Sequence, residues 1–296
     1  MIEFDGPTAD PLAPGAHAIE VDGLRQVYHV AGSGPVCVAH SGGPGIAWDY
    51  LRAPELEDGL TMVYVAPIGA GESDRLASHP QGYTVARYAE MLDGLIAHLN
   101  VPRVLLLGHS HGGFVAQRFA LDHPDRLAGL VLYDSAPTAG MALMLEAERN
   151  IEAFAARHAD ISAAQDVLEA WRGAGAVADD AGFTETLDRL FPAYFADYWG
   201  RAADFASLRL RWKASHVVSS GPPFDLSERL GEIAVPTLVL AGRHDFICGV
   251  RWAKALYGGI VGSELEVFPD SGHFAHLEQP EAFAEAVFAF AGRRAL

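Results

Sequence analysis

Positive charge, cysteine and long apolar runs are all scarce in this chain of 296 residues, and each scarcity removes a class of function. Lys and Arg number 21 against 38 Asp and Glu, a formal charge of -17. A surface of that sign repels phosphate backbones and anionic lipid. It excludes nucleic acid as a partner and weakly disfavours strongly anionic substrates, and no membrane partner is expected. The two cysteines, Cys37 and Cys248, each lie in an apolar run and read as buried free thiols rather than a disulfide framework. No basic stretch followed by an apolar one opens the chain, and no run reaches the length of a membrane span. A soluble, cytoplasmic protein is the expectation.

Half of the residues are apolar and a fifth are charged, which suits a chain that buries a large core. The length predicts one compact domain with a sizeable insertion. Residues 1–15, with Pro7, Pro11, Pro14, Gly6 and Gly15, read as an irregular arm. Two strand-like runs, 17–21 and 24–30, flank Asp22-Gly23, a dipeptide suited to a tight hairpin turn. Buried strands are then expected at 36–39, 62–65, 104–107, 130–133, 238–241 and 265–268. Thr84 can cap a helix whose apolar positions Val85, Tyr88, Met91, Leu92, Leu95, Ile96 and Leu99 share one face, with Asn100 and Pro102 ending it. A last helix starts near Pro280, carries Phe283, Ala286, Val287 and Phe290 on one face, and stops at Gly292. A hairpin followed by alternating strands and helices predicts an α/β class with a mostly parallel sheet and helices on both faces.

The alternation breaks over 138–225. That stretch has no clear strand, and it holds Phe183, Phe191, Tyr194, Phe195, Tyr198, Trp199, Phe205 and Trp212. It reads as a helical insertion over one edge of the sheet, dividing the core into 1–137 and 226–296. Most of those aromatics are expected to pack against the sheet domain, and some to line a substrate cavity.

The chemistry centres on Gly108-His109-Ser110-His111-Gly112-Gly113, set between a strand and a helical run. A G-x-S-x-G turn in that setting holds the serine strained and exposed, while glycines let strand and helix approach closely. A serine hydroxyl needs a base. His273, in the Gly272-His273 loop after the last strand, is preferred over His276. The side chains of His109 and His111 are expected to point away from the serine hydroxyl. The base needs an orienting carboxylate, and Asp245, directly after the strand at 238–241, is preferred over Asp134, which also follows a strand. The order serine, aspartate, histidine fits either carboxylate. Two backbone amides must hold an oxyanion. The amide of His111 is one, and Gly43, with Gly42 as the alternative, supplies the other from His40-Ser41-Gly42-Gly43-Pro44-Gly45.

Together these residues resemble the α/β-hydrolase superfamily over nearly the whole chain. The Ser41-Gly42-Gly43-Pro44-Gly45 segment is most similar to the H-G-G-P-G loop of the prolyl aminopeptidase (proline iminopeptidase) branch, with Ser41 in place of histidine. The resemblance implies an α/β-hydrolase fold in which the insertion is a cap. Acidic cap residues would then hold a substrate's free α-amino group, with Glu185, Asp197 and Asp204 as candidates, although solvation at the surface is the simpler reading of each. Two departures stand out. The branch's D-Q-R-G-x-G-x-S loop reads Ala66-Pro67-Ile68-Gly69-Ala70-Gly71-Glu72-Ser73 here, and His111 stands where the branch often has tryptophan. The expected activity is a serine hydrolase that cleaves an ester or amide of a small molecule or short peptide-like substrate, including an N-terminal aminoacyl group. It proceeds through an acyl-enzyme on Ser110 and needs no metal or organic cofactor. A cofactor-free perhydrolase shares the same triad, and a receptor-like binding protein on the same fold is the alternative of a different class.

Overall fold

The computed structural model describes residues 10–293, so positions 1–9 of the expected arm lie outside the described residues. Eight strands form one sheet: β1 (Gly15–Val21), β2 (Leu24–Gly32), β3 (Val36–His40), β4 (Thr61–Val65), β5 (Val104–His109), β6 (Leu127–Tyr133), β7 (Thr237–Gly242) and β8 (Glu264–Phe268). Their spatial order is β1-β2-β4-β3-β5-β6-β7-β8. The β1–β2 hairpin and the β2–β4 pair are antiparallel, and every pairing from β4 to β8 is parallel. The hairpin turns at Asp22-Gly23, both residues with positive φ, as the dipeptide required.

Among the described residues ten α-helices accompany the sheet: α1 (Pro54–Glu57), α2 (Val85–His98), α3 (His111–Asp122), α4 (Met141–Arg157), α5 (Ser162–Gly173), α6 (Asp180–Leu190), α7 (Ala202–Arg211), α8 (Val250–Gly259), α9 (Ala275–Glu278) and α10 (Pro280–Gly292). The hydroxyl of Thr84 accepts the Arg87 amide at 3.0 Å and starts α2. At the other end Asn100 takes a left-handed φ of 53°. Alternate residues of the sheet face different layers. Val38, Val63 and Leu106 pack with Leu92, Leu95 and Phe119 from α2 and α3, and with Leu256 from α8. Cys37, Met62, Leu105 and Leu107 pack with Leu56 of α1 and with Phe283, Val287 and Phe290 of α10. Both faces are therefore covered, and β4 to β7 in sequence are buried at every residue. Each such leucine or phenylalanine contributes about 1.5–3 kcal/mol by leaving water. Cys37 and Cys248 are free and buried.

Helices α4 to α7 lie between β6 and β7, and Thr138 pairs with Asp225 in an isolated antiparallel bridge at the two ends of that stretch. Leu187 of α6 and Phe205 and Leu208 of α7, with Phe191 and Phe195 between those helices, join the same apolar cluster as α1 and α10. Among the described residues no helix is long and apolar enough to cross a membrane.

Candidate active site

Ser110 joins β5 to α3 with φ 53° and ψ -119°, a conformation that a side-chain-bearing residue adopts only when its surroundings fix it. The Ser110 amide donates to the Tyr133 carbonyl at 2.9 Å. Its own carbonyl accepts the Gly113 amide and the Ser135 hydroxyl, each at 2.9 Å. The glycines around it are there for room. A Cβ at Gly108 would sit 2.4 Å from the Gly112 carbonyl oxygen, and one at Gly112 would sit 2.2 Å from that of His40. The sharp turn thus depends on β5, α3 and the end of β3 approaching backbone to backbone.

His273 and Asp245 meet 28 residues apart in sequence. Nδ1 of His273 donates to Oδ2 of Asp245 at 2.8 Å, and both side chains are buried. Oδ1 of Asp245 accepts the Ile247 amide at 2.9 Å, which fixes the carboxylate from its other side. With Nδ1 committed, Nε2 is the ring nitrogen left for the cavity that His273 shares with Ser110. The backbone amide of His273 donates to the Tyr194 carbonyl at 2.7 Å, so the loop is also anchored to the inserted helices.

The rival histidine does other work. His276 is buried, with Nε2 donating to the Tyr50 carbonyl at 2.8 Å and Nδ1 accepting from the Tyr133 hydroxyl at 2.9 Å. Burial lowers its pKa from 6.5 to about 4, so it stays neutral. The rival carboxylate, Asp134, stands behind the pair. Its Oδ1 accepts the Gly242 amide at 2.8 Å, and burial, with Asp245 beside it, pushes its pKa well above the ordinary carboxyl range.

Of the two loop glycines, Gly42 has its amide taken up by the Tyr50 hydroxyl at 2.5 Å. Gly43 therefore offers the amide that remains. It has φ 64° and lines the Ser110 cavity, and His111 opens α3 on the other side of the serine.

Sequence reasoning misplaced His109. Its ring does not turn away but lies against His273, with centroids 4.5 Å apart, and it lines the cavity. The reason is a hydrogen-bond chain. Nε2 of His109 donates to the His273 carbonyl at 2.9 Å, while Nδ1 accepts the Tyr50 hydroxyl at 2.6 Å. Tyr50 and His109 thereby tie the Gly42 loop to the His273 loop. Tyr50 was missed altogether, because nothing in Trp48–Leu51 marks it apart from an ordinary core aromatic. His111 does face away, edge-on to Tyr88 and Phe114, and burial lowers its pKa to about 3.

The cavity measures about 320 Å³. Leu187, Leu190, Phe183 and Trp171 from the inserted helices line it, with Trp212 and Tyr194. Among the described residues no Asp, Glu, Lys or Arg lines it. Glu185 opens instead onto an outer groove of about 870 Å³, together with Asp180, Asp188, Arg211 and Lys213. Asp197 accepts the Gly200 amide and Asp204 pairs with Arg201, so none of the three acidic candidates reaches Ser110. Ligand-capable atoms of His109, Asp134 and His273 lie within 4.8 Å of one another. That donor set does not fit an ion, since both nitrogens of His109 and Nδ1 of His273 are already engaged.

Comparison with known proteins gives a consistent picture. The model of the alpha/beta hydrolase fold family matches residues 35–280. A 2-hydroxy-6-oxononadienedioate/2-hydroxy-6-oxononatrienedioate hydrolase of Klebsiella pneumoniae subsp. pneumoniae is 30% identical over 270 residues, covering 88% of this chain and 88% of that protein. A proline iminopeptidase of Saccharolobus solfataricus is 26% identical over 274 residues, covering 90% of this chain and 87% of its own. The solved structure of a hydrolase from Pseudomonas aeruginosa superposes with a TM-score of 0.71 at 26% identity, covering 95% of this chain and 99% of that one.

Proposed function

This chain belongs to the alpha/beta hydrolase family, and we propose that it is a serine hydrolase for small uncharged substrates with an apolar acyl group. Nε2 of His273 takes the proton of Ser110 as the hydroxyl attacks an ester or amide carbonyl. Asp245 holds the imidazole in the required tautomer and stabilises its charged form. The amides of Gly43 and His111 receive the oxyanion, and His273 returns the proton to the leaving group. Water then repeats the sequence on the acyl-enzyme and frees Ser110.

One observation carries the substrate class: the Ser110 cavity is lined by hydrocarbon and aromatic rings without a charged carboxylate, ammonium or guanidinium. Burying a substrate charge there without a partner would cost several kcal/mol. A dioate, such as the Klebsiella relative's name specifies, is doubly anionic and finds no cation. The protonated amine of an N-terminal proline finds no carboxylate. An ester with a medium-length or branched acyl chain meets only surfaces that favour it.

The test is steady-state hydrolysis of p-nitrophenyl esters of graded chain length, with prolyl and alanyl p-nitroanilides, by wild type and Ser110→Ala. Ester turnover over many cycles is expected, with kcat falling by about 10⁵–10⁶-fold in the variant. Turnover that survives Ser110→Ala would refute the mechanism. A preference for the prolyl anilide over every ester would refute the substrate class.

A further inference from the structure

Asp134 has no part in the mechanism above, yet it is wholly buried beside the part that does. It follows β6 with φ 42°, and its amide donates to the Leu240 carbonyl at 2.9 Å, which pins it to β7. A carboxylate oxygen of Asp134 lies within 4.8 Å of a ring nitrogen of His273, whose Nδ1 bonds Asp245 at 2.8 Å, so the two carboxyls are neighbours around one ring. Even so, Oδ2 of Asp134 has no donor facing it when both groups are written as carboxylates. Two ionised carboxylates in contact and out of water repel strongly, and one proton between them removes both the repulsion and the orphaned oxygen.

Counting donors decides which of the two carries that proton. Asp245 accepts from Nδ1 of His273 and from the Ile247 amide, whereas Asp134 accepts only from the Gly242 amide. The better-solvated anion is Asp245. We propose that Asp134 is a positioning residue: a carboxylic acid that donates its proton in a hydrogen bond to Asp245 and holds that carboxylate on His273. Burial and the neighbouring charge both push Asp134 toward its protonated form, in agreement with the donor count. His273 then sees one negative charge rather than two. The remaining titratable groups facing the pair are His109, Tyr133, Tyr194, Cys248 and Glu278. Burial holds Tyr133, Tyr194 and Cys248 in their neutral forms, and His109 is likewise kept neutral.

The inference rests on the serine-hydrolase reading, and its test separates the two. Asp134→Asn is isosteric, keeps a donor for Asp245 and an acceptor for Gly242, and is neutral. Infrared difference spectra of wild type against Asp134→Asn should show the carbonyl stretch of one protonated carboxylic acid at neutral pH, lost in the variant. This readout needs no activity, so it decides the matter even if Ser110 proves unreactive and the serine reading fails. Where wild-type Ser110 reacts with a fluorophosphonate, the pH midpoint of labelling reports His273. Asp134→Asn should leave that midpoint unmoved, whereas loss of an ionised neighbour would lower it by about one unit or more. Asp134→Ala, which removes the donor, should slow labelling about tenfold. If that variant does not fold, the band and the midpoint of Asp134→Asn still decide. Absence of the band, a lowered midpoint in Asp134→Asn, or wild-type labelling by Asp134→Ala would each overturn the proposal.

Discussion

Strands β4, β5, β6 and β7 are buried at every position, while each helix inserted between β6 and β7 buries only a stripe. In α4 the stripe is Leu143, Ala147, Ile151, Phe154 and Ala155. The opposite faces of these helices carry ion pairs such as Arg172–Glu152 at 2.6 Å and Arg209–Asp188 at 2.7 Å. Exposed pairs of this kind are worth about 0–1 kcal/mol each. The sheet therefore fixes atoms and the inserted helices supply a surface. Ser110, Asp245 and His273 all leave the C-terminal ends of parallel strands, on loops held by backbone hydrogen bonds. The insertion brings hydrocarbon to the cavity and anchors the loops around it through the carbonyls of Tyr194 and Lys213. Changes in the scaffold should act on the rate of the chemical step, and changes in the insertion on which substrate enters.

The largest effect in this comparison is expected at Tyr50, the scaffold residue whose hydroxyl joins the Gly42 amide to His109. In Tyr50→Phe a buried N–H and a buried ring nitrogen both lose their partner, costing about 1–3 kcal/mol each in stability. The His273 loop and the Gly43 loop then lose their common tie. A displacement of about 1 Å is enough to lower kcat by about 100-fold, and a fall of ten- to 100-fold with little change in KM is expected. Steady-state kinetics on the preferred ester checks this. A variant with wild-type kcat would show that the two loops are held independently.

On the other side of the comparison, Leu187→Ala removes hydrocarbon from the insertion's cavity wall without touching a strand. The preferred acyl chain should lengthen, and kcat/KM for the original ester should fall about tenfold, the scale for lost apolar contact in a pocket. Labelling of Ser110 by a small fluorophosphonate should keep its rate, because that reagent does not fill the cavity. Equal loss of labelling and ester turnover would place Leu187 in support of the scaffold and break the division.

The same division explains what could be read from sequence. Apolar runs buried on both faces announce parallel strands directly, so β3 to β7, the capped α2 and the serine turn were legible from residue type and spacing, and β1 and β2 from the turn between them. The burial expected of 265–268 does not hold, because β8 is an edge strand in which only Phe268 is buried. Helix α8 was not read, although Trp252, Ala253 and Leu256 share one buried face, because it is short and closes on Gly258 and Gly259. The meeting of His273 with Asp245 was legible as two loops after two strands, since parallel strands end on one edge. Tyr50 and His109 were not legible, because their link runs across 59 residues through a side-chain hydroxyl, a kind of contact with no local signature. Glu185 shows the same limit in the insertion: its residue type suited an amine, but which groove it faces depends on helix rotation.

Acid should expose the scaffold once more, with the smallest effect of the three. His40, His109, His111 and His276 are buried in it, and burial lowers their pKa values, to about 4 for His40 and His276 and about 3 for His111. In the unfolded chain each titrates near 6.5. Such groups add stability above the unfolded value, and it is lost as pH falls from about 6.5 toward about 4, because the unfolded state takes up protons that the folded state refuses. Two buried carboxyls and one half-buried one act in the opposite direction: Glu278, raised to about 7, and Asp134, with the half-buried Asp49, also raised. These favour the folded state as pH falls, and Asp134 does so across the whole range down to its unfolded value of about 3.9, because it is protonated when folded and ionised when unfolded. The histidines prevail in number, so urea unfolding free energy should decline by about 1–3 kcal/mol between about pH 6.5 and about pH 5, a range where ordinary carboxylates stay ionised. Stability that holds or rises across that range would mean the four rings are not kept neutral by the scaffold, and that its rigidity around Ser110 has another source.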